Sequence, residues 1–366
     1  MKKIPWWEPR IDGPKEKELL GQVLKSNFPN DGDYTTQFEK EAARRLGSTY
    51  AVGVTSCTAA MFLALKALDI GHGDEVVVPD MTFIATANAV SMTGAKPVLV
   101  DVDPVMMTMA PESFLAAITS RTRAVMPVHV SGRAARMSEI LKIAAEHNIY
   151  VVEDAAEAFL SKHNGRYLGT FGVMGCFSFS PPKTITMGQG GLVVTNDENI
   201  FFRLKELKDQ GRPIRGTGGA DIHNSVGYNF KLTNLQAALG FAQLDYVNER
   251  IARMVRNYEL YRQSLRGING FSFPGFDVAL GEVPQWTDAI VERRDELDEH
   301  LKTQGIECRR FWFPIHTQAP YKLPNDNFPH STRLSPKALW LPSAFTLTDE
   351  DIETVCERIR TFLKRR

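Results

Sequence analysis

A surplus of charge of either sign is missing from this sequence. Its 43 Lys and Arg residues are matched by 43 Asp and Glu, so the formal net charge is zero over 366 residues. A protein that coats nucleic acid needs clustered surplus Lys and Arg, and an acidic solvating tail needs the reverse, so neither class fits. Neutrality still leaves room for a local site that takes an anionic small molecule. Cysteine is scarce: Cys57, Cys176, Cys308 and Cys356 lie far apart, with no CxxC pair and no disulfide framework. Reduced cysteines in a cytoplasmic protein are the plain expectation. Long apolar runs are absent too. Uncharged stretches such as 81–95 and 167–182 are broken by Thr, Asn, Ser, Gly or Pro, and are too short and polar to span a membrane. Residues 1–7 hold no signal-peptide segment. The eight histidines show no HExxH-like spacing, and no metal is assigned.

What is present suits a large soluble enzyme. Apolar residues make up 43% of the chain, enough for a substantial core, and the length allows two domains. Strand patterns at 51–54, 75–78, 97–102, 124–130, 149–153, 174–179 and 192–195 alternate with helical patterns at 58–68, 82–92, 111–118, 137–147 and 199–210. Such alternation predicts an α/β layer with a largely parallel sheet. Successive apolar residues, as in Val76-Val77-Val78, predict strands covered on both faces. After about residue 232 the texture changes. Thr233 can cap one long helix reaching about residue 265, 267–283 reads as irregular, 293–303 as a helix, 306–313 as a strand and 348–364 as a final helix. A smaller α+β unit from about residue 246 fits this pattern, giving domains at 1–245 and 246–366.

In such sheets ligands bind beyond the carboxyl ends of strands. Four turns carry the relevant polar residues. Thr55-Ser56-Cys57-Thr58 opens a helix, and is either a phosphate cradle or an ordinary Ser/Thr cap. Glu153-Asp154-Ala155-Ala156-Glu157 ends a buried strand in acids, which face a cationic group or cap a helix. Lys183 lies between an apolar strand and Gly188-Gln189-Gly190-Gly191, as an imine-forming amine or a snorkelling surface lysine. The glycine run is neither a Rossmann fingerprint nor a P-loop. Residues 226–236 form an aromatic-polar turn into the long helix.

Taken in order, these segments resemble the DegT/StrS group of pyridoxal-phosphate-dependent sugar-nucleotide aminotransferases. The resemblance runs over nearly the whole chain. It rests on GHGDEVVVP (71–79), Pro127–His129 with Gly132, EDAAE (153–157), Phe177–Phe179 with Lys183, GQGG (188–191) and GYNFKLTNLQ (227–236). It implies the fold type I architecture: a mostly parallel seven-stranded sheet flanked by helices, with a smaller α+β C-terminal domain. It implies Lys183 as the amine that bonds pyridoxal 5′-phosphate and later moves a proton. Asp154 would pair with the pyridine nitrogen, Glu157 would stand beside the ring hydroxyl, and Phe83 would stack on the ring. Cys57, Thr58 and Ser178 would hold the phosphate, together with Asn229 from a partner subunit, making a homodimer part of the site. The implied reaction is a ping-pong transamination. L-glutamate leaves as 2-oxoglutarate, the cofactor passes through pyridoxamine 5′-phosphate, and a nucleotide-linked keto sugar receives the amine.

Within the group, EDAAE, GYN-x-x-x-TN and Phe313-Pro314-Ile315-His316 are closest to enzymes making 4-amino-4,6-dideoxy sugars for surface polysaccharides. His316 and Tyr321 are assigned by that likeness to the nucleotide sugar, with a packed loop histidine as the alternative for His316. A 3-keto or differently nucleotide-linked sugar remains open, as does a dehydratase or a non-catalytic cofactor-binding sensor. Related dehydratases carry His where this chain carries Lys183. Cys57, Gln189 and Pro181-Pro182 depart from the group's commoner residues without removing a group the amination needs.

Overall fold

The computed structural model describes residues 2–213 and 221–364. Its centre is a seven-stranded sheet built from β1 (Tyr50–Val54), β2 (Glu75–Pro79), β3 (Lys96–Val100), β4 (Thr122–Val125), β5 (Tyr150–Asp154), β6 (Met174–Ser178) and β7 (Gly191–Thr195). The spatial order is β1-β7-β6-β5-β4-β2-β3. The pairings β2·β3, β2·β4, β4·β5 and β5·β6 are parallel, whereas β7 runs antiparallel to both its neighbours. The mostly parallel seven-stranded sheet expected from the sequence is therefore present, with β7 as its one reversed strand.

Successive apolar residues in these strands serve two opposite layers, because strand side chains alternate faces. Val76 and Val78 pack with Val152 and Val193 beneath α3 (Cys57–Ala67), α4 (Ala85–Met92) and α7 (Glu198–Lys208). Val77 and Val151 face the other way, with Phe114 of α5 (Pro111–Ala116) and Ile140 of α6 (Met137–Glu146). Phe177 and Leu192 join that second layer under Phe38 of α2 (Asp33–Leu46) and Ala237 of α8 (Asn234–Gln243). Helix α1 (Pro14–Ser26) covers α8 through Leu19 and Val23. Helices α1 and α2 are additions to the sequence reading, although Pro14 at the start of α1 is a recognised entry signal.

The second sheet is antiparallel, in the order β8 (Phe271–Ser272), β9 (Thr287–Val291), β11 (Ala338–Leu341) and β10 (Arg309–Arg310). It packs on α9 (Val247–Ser264), α10 (Arg294–Thr303) and α11 (Asp349–Lys364) through Tyr261, Leu297, Leu301 and Ile359. Ile4 joins this core and bridges Ile306, so the N-terminal segment packs with the C-terminal sheet. A cluster of Trp6, Trp286, Phe311 and Trp340 lies with Met81 and Val128, joining the two sheets.

Three sequence expectations need correction. The helix expected from 233 to 265 is two helices, α8 and α9, separated by a turn at 244–246. No Pro or Gly marks that break; it is set by packing, with Leu244 and Val247 both buried. Of the strand expected at 306–313, only Arg309–Arg310 pairs within the second sheet, and the chain leaves the sheet before Pro314. The strand expected to reach residue 130 stops at Val125, and the chain turns through Ser131 at φ 54° and Gly132 at φ 92°. A Cβ on Gly132 would stand 2.0 Å from the Val283 carbonyl oxygen, so glycine is required there.

A buried ion cluster fixes β1. Lys208 lies 3.2 Å from both Glu39 and Asp31 and donates to the Gly53 carbonyl at 3.1 Å, while Glu39 accepts the Gly53 N–H at 2.8 Å. Burial raises the Glu39 carboxyl, but Lys208, Lys205 and the Gly53 N–H together bring it below its ordinary value. Removing one partner strands the others in a dry site. Lys208→Met is expected to lose about 3–5 kcal/mol of stability in denaturant unfolding. A loss below about 1 kcal/mol would show that water reaches the cluster.

Candidate active site

Because β7 is antiparallel to both β1 and β6, strand β1 ends at the same sheet edge as the parallel strands. A cavity of about 270 Å³ opens there, lined from the large sheet by α3, the ends of β5 and β6, and the loop after β6. The second sheet contributes Trp286 and Arg309 to its wall.

Asp154 is the last residue of β5 and is buried. Its Oδ2 accepts from the Thr86 hydroxyl at 2.7 Å and its Oδ1 from the Ala156 N–H at 3.1 Å. Burial pushes its carboxyl upward, opposed by those two donors. Strand alternation turns its neighbour Glu153 the other way. Glu153 accepts the Gly169 and Gly172 N–H groups at 2.8 and 2.6 Å and faces His129 Nε2 at 2.9 Å. His129 Nδ1 accepts the Ala135 N–H at 3.2 Å. The ring proton therefore sits on Nε2 and is donated to Glu153. Glu153 is an internal brace rather than a group of the cavity.

Glu157 lies beyond β5, where its Oε2 accepts the Ser131 N–H at 2.7 Å. Its Oε1 is 3.5 Å from Lys183 Nζ. Burial pushes the Glu157 carboxyl up to about 7, against the attraction of Lys183. Lys183 Nζ also lies 4.5 Å from the Trp286 ring centre. Its loop is pinned on both sides. Trp7 Nε1 donates to the Pro181 carbonyl, Gln285 accepts from Thr184 N–H and Oγ1, and Arg250 donates to the Thr184 carbonyl.

The turn after β1 leads into α3, whose first N–H groups have no partner inside the helix. Ser56 caps that helix by accepting the Ala59 N–H at 3.2 Å, while Cys57 and Thr58 line the cavity. Ser178 and Ser180 add hydroxyls 3.3 Å apart. A helix N-terminus with hydroxyls beside it has the donor chemistry to hold an anion. The Cys57 thiol is pushed well up by burial, so it stays neutral and is not a nucleophile.

Seven of the expected site residues thus line one cavity: Cys57, Thr58, Phe83, Asp154, Glu157, Ser178 and Lys183. Three do not. Asn229 is exposed, and its backbone bridges Asp209. Tyr321 shares its hydroxyl with Ser91 and Asn88 at 2.9 and 2.7 Å. His316 is fully buried, holds Asp80 through its backbone N–H and Nδ1 at 2.7 Å each, and stacks on Phe328. These contacts clamp residues 315–317 to Asp80, just beyond the end of β2. Sequence reading missed Thr86, Trp286, Trp312 and Arg309. The last three come from the second sheet's side, and no local motif marks them. Arg309 and Lys183 are the cations of the cavity lining, and Arg309 sits over the rings of Trp6 and Trp340.

Glu157 generates a pH prediction. Its folded value is raised, so its contribution to stability is complete below the ordinary carboxyl range and is lost as pH rises through about 7. Thermal unfolding of cofactor-free protein should show about 2–3 kcal/mol lost between about pH 4.5 and 7.5, and Glu157→Gln should remove most of that slope. An unchanged slope in the variant would place the titration elsewhere.

The model of the DegT/DnrJ/EryC1/StrS aminotransferase family matches residues 10–360. The chain is 37% identical to GDP-perosamine synthase of Escherichia coli O157:H7, with 99% of each chain covered. It is 36% identical to GDP-perosamine synthase of Caulobacter vibrioides, with 95% of each covered. The crystal structure of DesV from S. venezuelae superposes with a TM-score of 0.94 at 32% identity, covering 100% of both chains. The chain belongs to the DegT/DnrJ/EryC1/StrS aminotransferase family.

Proposed function

We propose that the enzyme moves the amino group of L-glutamate to the keto carbon of a 4-keto-6-deoxy sugar carried on GDP. The observation that supports this most is the cavity itself, where one amine, two buried acids and an anion cradle converge. The GDP-perosamine synthases to which the chain is similar support the choice of nucleotide and sugar.

The lining fits pyridoxal 5′-phosphate, the cofactor of this transaminase. A helix N-terminus with hydroxyls suits its phosphate, the Asp154 carboxylate suits a protonated ring nitrogen, and the Lys183 amine suits its carbonyl. When bound, that group supplies an electrophilic carbonyl and an electron sink. The chain's own residues do the rest. Lys183 Nζ would supply the amine for that carbonyl and would hold or move a proton at Nζ. Glu157, poised near neutrality and 3.5 Å away, exchanges a proton with that amine. The Trp286 ring lies 4.5 Å from that amine and covers one side of it. Arg309 offers a guanidinium to an anionic part of a substrate.

Asn229 is exposed on its own chain, which suits a homodimer in which it reaches the partner's cradle. We read 1–245 as the large cofactor-binding domain and 246–366 as the small one, with the N-terminal segment crossing to the small core. Free cysteines fit a cytoplasmic setting. Among the described residues no helix is long and apolar enough to cross a membrane, and no His/Cys/Asp/Glu group of metal-binding size occurs.

The test is a panel of nucleotide-linked 3- and 4-keto-6-deoxy sugars incubated with enzyme, cofactor and L-glutamate. Mass spectrometry should find 2-oxoglutarate and the amino sugar in equal amounts, best with the GDP-linked 4-keto sugar. Asp154→Asn should lower kcat by about 100-fold or more. No amino sugar from any member would overturn the proposal.

A further inference from the structure

Behind Glu157 lies a buried ion pair that the chemistry above does not use. Arg133 and Asp288 are fully buried, with Arg133 Nη1 2.9 Å from Asp288 Oδ2. A pair desolvated to this degree is a poor source of stability, so its retention calls for another reason. Asp288 lies on β9 and its other oxygen, Oδ1, accepts from the Ser131 hydroxyl at 2.7 Å. Trp340 of β11 donates to that same hydroxyl at 3.1 Å. The backbone of Ser131 has φ 54°, a left-handed conformation that a non-glycine residue keeps only when its surroundings hold it. Its carbonyl accepts the Gln285 N–H at 2.9 Å. Held in this way, the Ser131 N–H points at Glu157 Oε2, 2.7 Å away, and leaves Oε1 to Lys183.

We propose that Ser131 and Asp288 are positioning residues: the second sheet, through Asp288, holds the Ser131 N–H against Glu157 and so sets how Glu157 meets Lys183. This rests on the aminotransferase reading of the Lys183 site. The tether acts on Glu157 in two opposite ways. The N–H stabilises the carboxylate, and the Asp288 charge destabilises it. The other groups that face Glu157 are Lys183 in the loop after β6, Asp154 at the end of β5, Cys57 at the start of α3 and Arg309 on β10. None of these is altered by changes at 131 or 288.

The test uses cofactor-loaded enzyme and two mild substitutions, with two readouts: the pH dependence of kcat/KM for L-glutamate, and that of the bound cofactor's visible absorbance. The relevant midpoint is the one that Glu157→Gln abolishes. Ser131→Ala removes the tethering hydroxyl, lets the strained backbone relax and withdraws the N–H, so the midpoint should rise by about half a pH unit or more. Asp288→Asn keeps an acceptor for the hydroxyl but removes the charge, so the midpoint should fall. General loosening of the fold would not move the two in opposite directions. In the Glu157→Gln background neither substitution should shift the remaining profile. Shifts of the same sign, no shift, or shifts that persist without Glu157 would overturn the proposal. If one variant fails to fold, the sign of the other's shift and its loss in the Glu157→Gln background decide. An inactive wild-type enzyme would instead count against the aminotransferase reading.

Discussion

The 3.5 Å contact between the Lys183 amine and the Glu157 carboxyl, roofed by the Trp286 ring, is the interaction around which the rest is arranged. An amine that must bond a carbonyl has to lose a proton, and burial beside an acid near neutrality gives that proton somewhere to go. Each surrounding feature holds one corner of that contact. Ser131 fixes Glu157, while Gln285, Arg250 and Trp7 fix the loop that carries Lys183. Most of these braces come from the N-terminal segment and the C-terminal half of the chain. The two sheets therefore share one site instead of merely lying side by side.

Local charge placement also resolves the neutrality of the whole chain. A protein that takes phosphate-bearing ligands needs no positive surface when its donors are oriented N–H groups and hydroxyls. The start of α3, with Ser178 and Ser180, provides such donors without a net cation. Acids are sorted by strand alternation. Glu153 and Asp154 are adjacent in sequence and equally carboxylic, yet one braces His129 and two glycine N–H groups while the other faces the cavity. Function follows from which side of β5 each residue occupies.

Much of this was readable in the sequence. All seven strands of the main sheet announced themselves, most plainly where a strand covered on both faces is written as an apolar run, as in Val76-Val77-Val78. The cavity residues on strand ends and helix starts were readable for a related reason: their backbone context is local. Trp286, Trp312 and Arg309 were not, since they lie on or beside strands that distant pairing brings to the cavity, and no short motif records that pairing. His316 shows the converse. In the structure this histidine is buried against Asp80, a contact that no motif in the local sequence announces. The division of the long helix at 244–246 lacked any glycine or proline, so nothing in the local sequence announced it.

The central claim is that the Lys183 amine is the group that bonds the cofactor and passes protons within this cavity. The most direct measurement is the absorbance spectrum of cofactor-loaded protein, wild type beside Lys183→Ala, before and after adding L-glutamate. The account predicts a visible-edge band in the wild type that glutamate bleaches as 2-oxoglutarate appears, and in the variant neither that band nor 2-oxoglutarate formation. A Lys183→Ala protein that kept the band and turned glutamate over at the wild-type rate would contradict it.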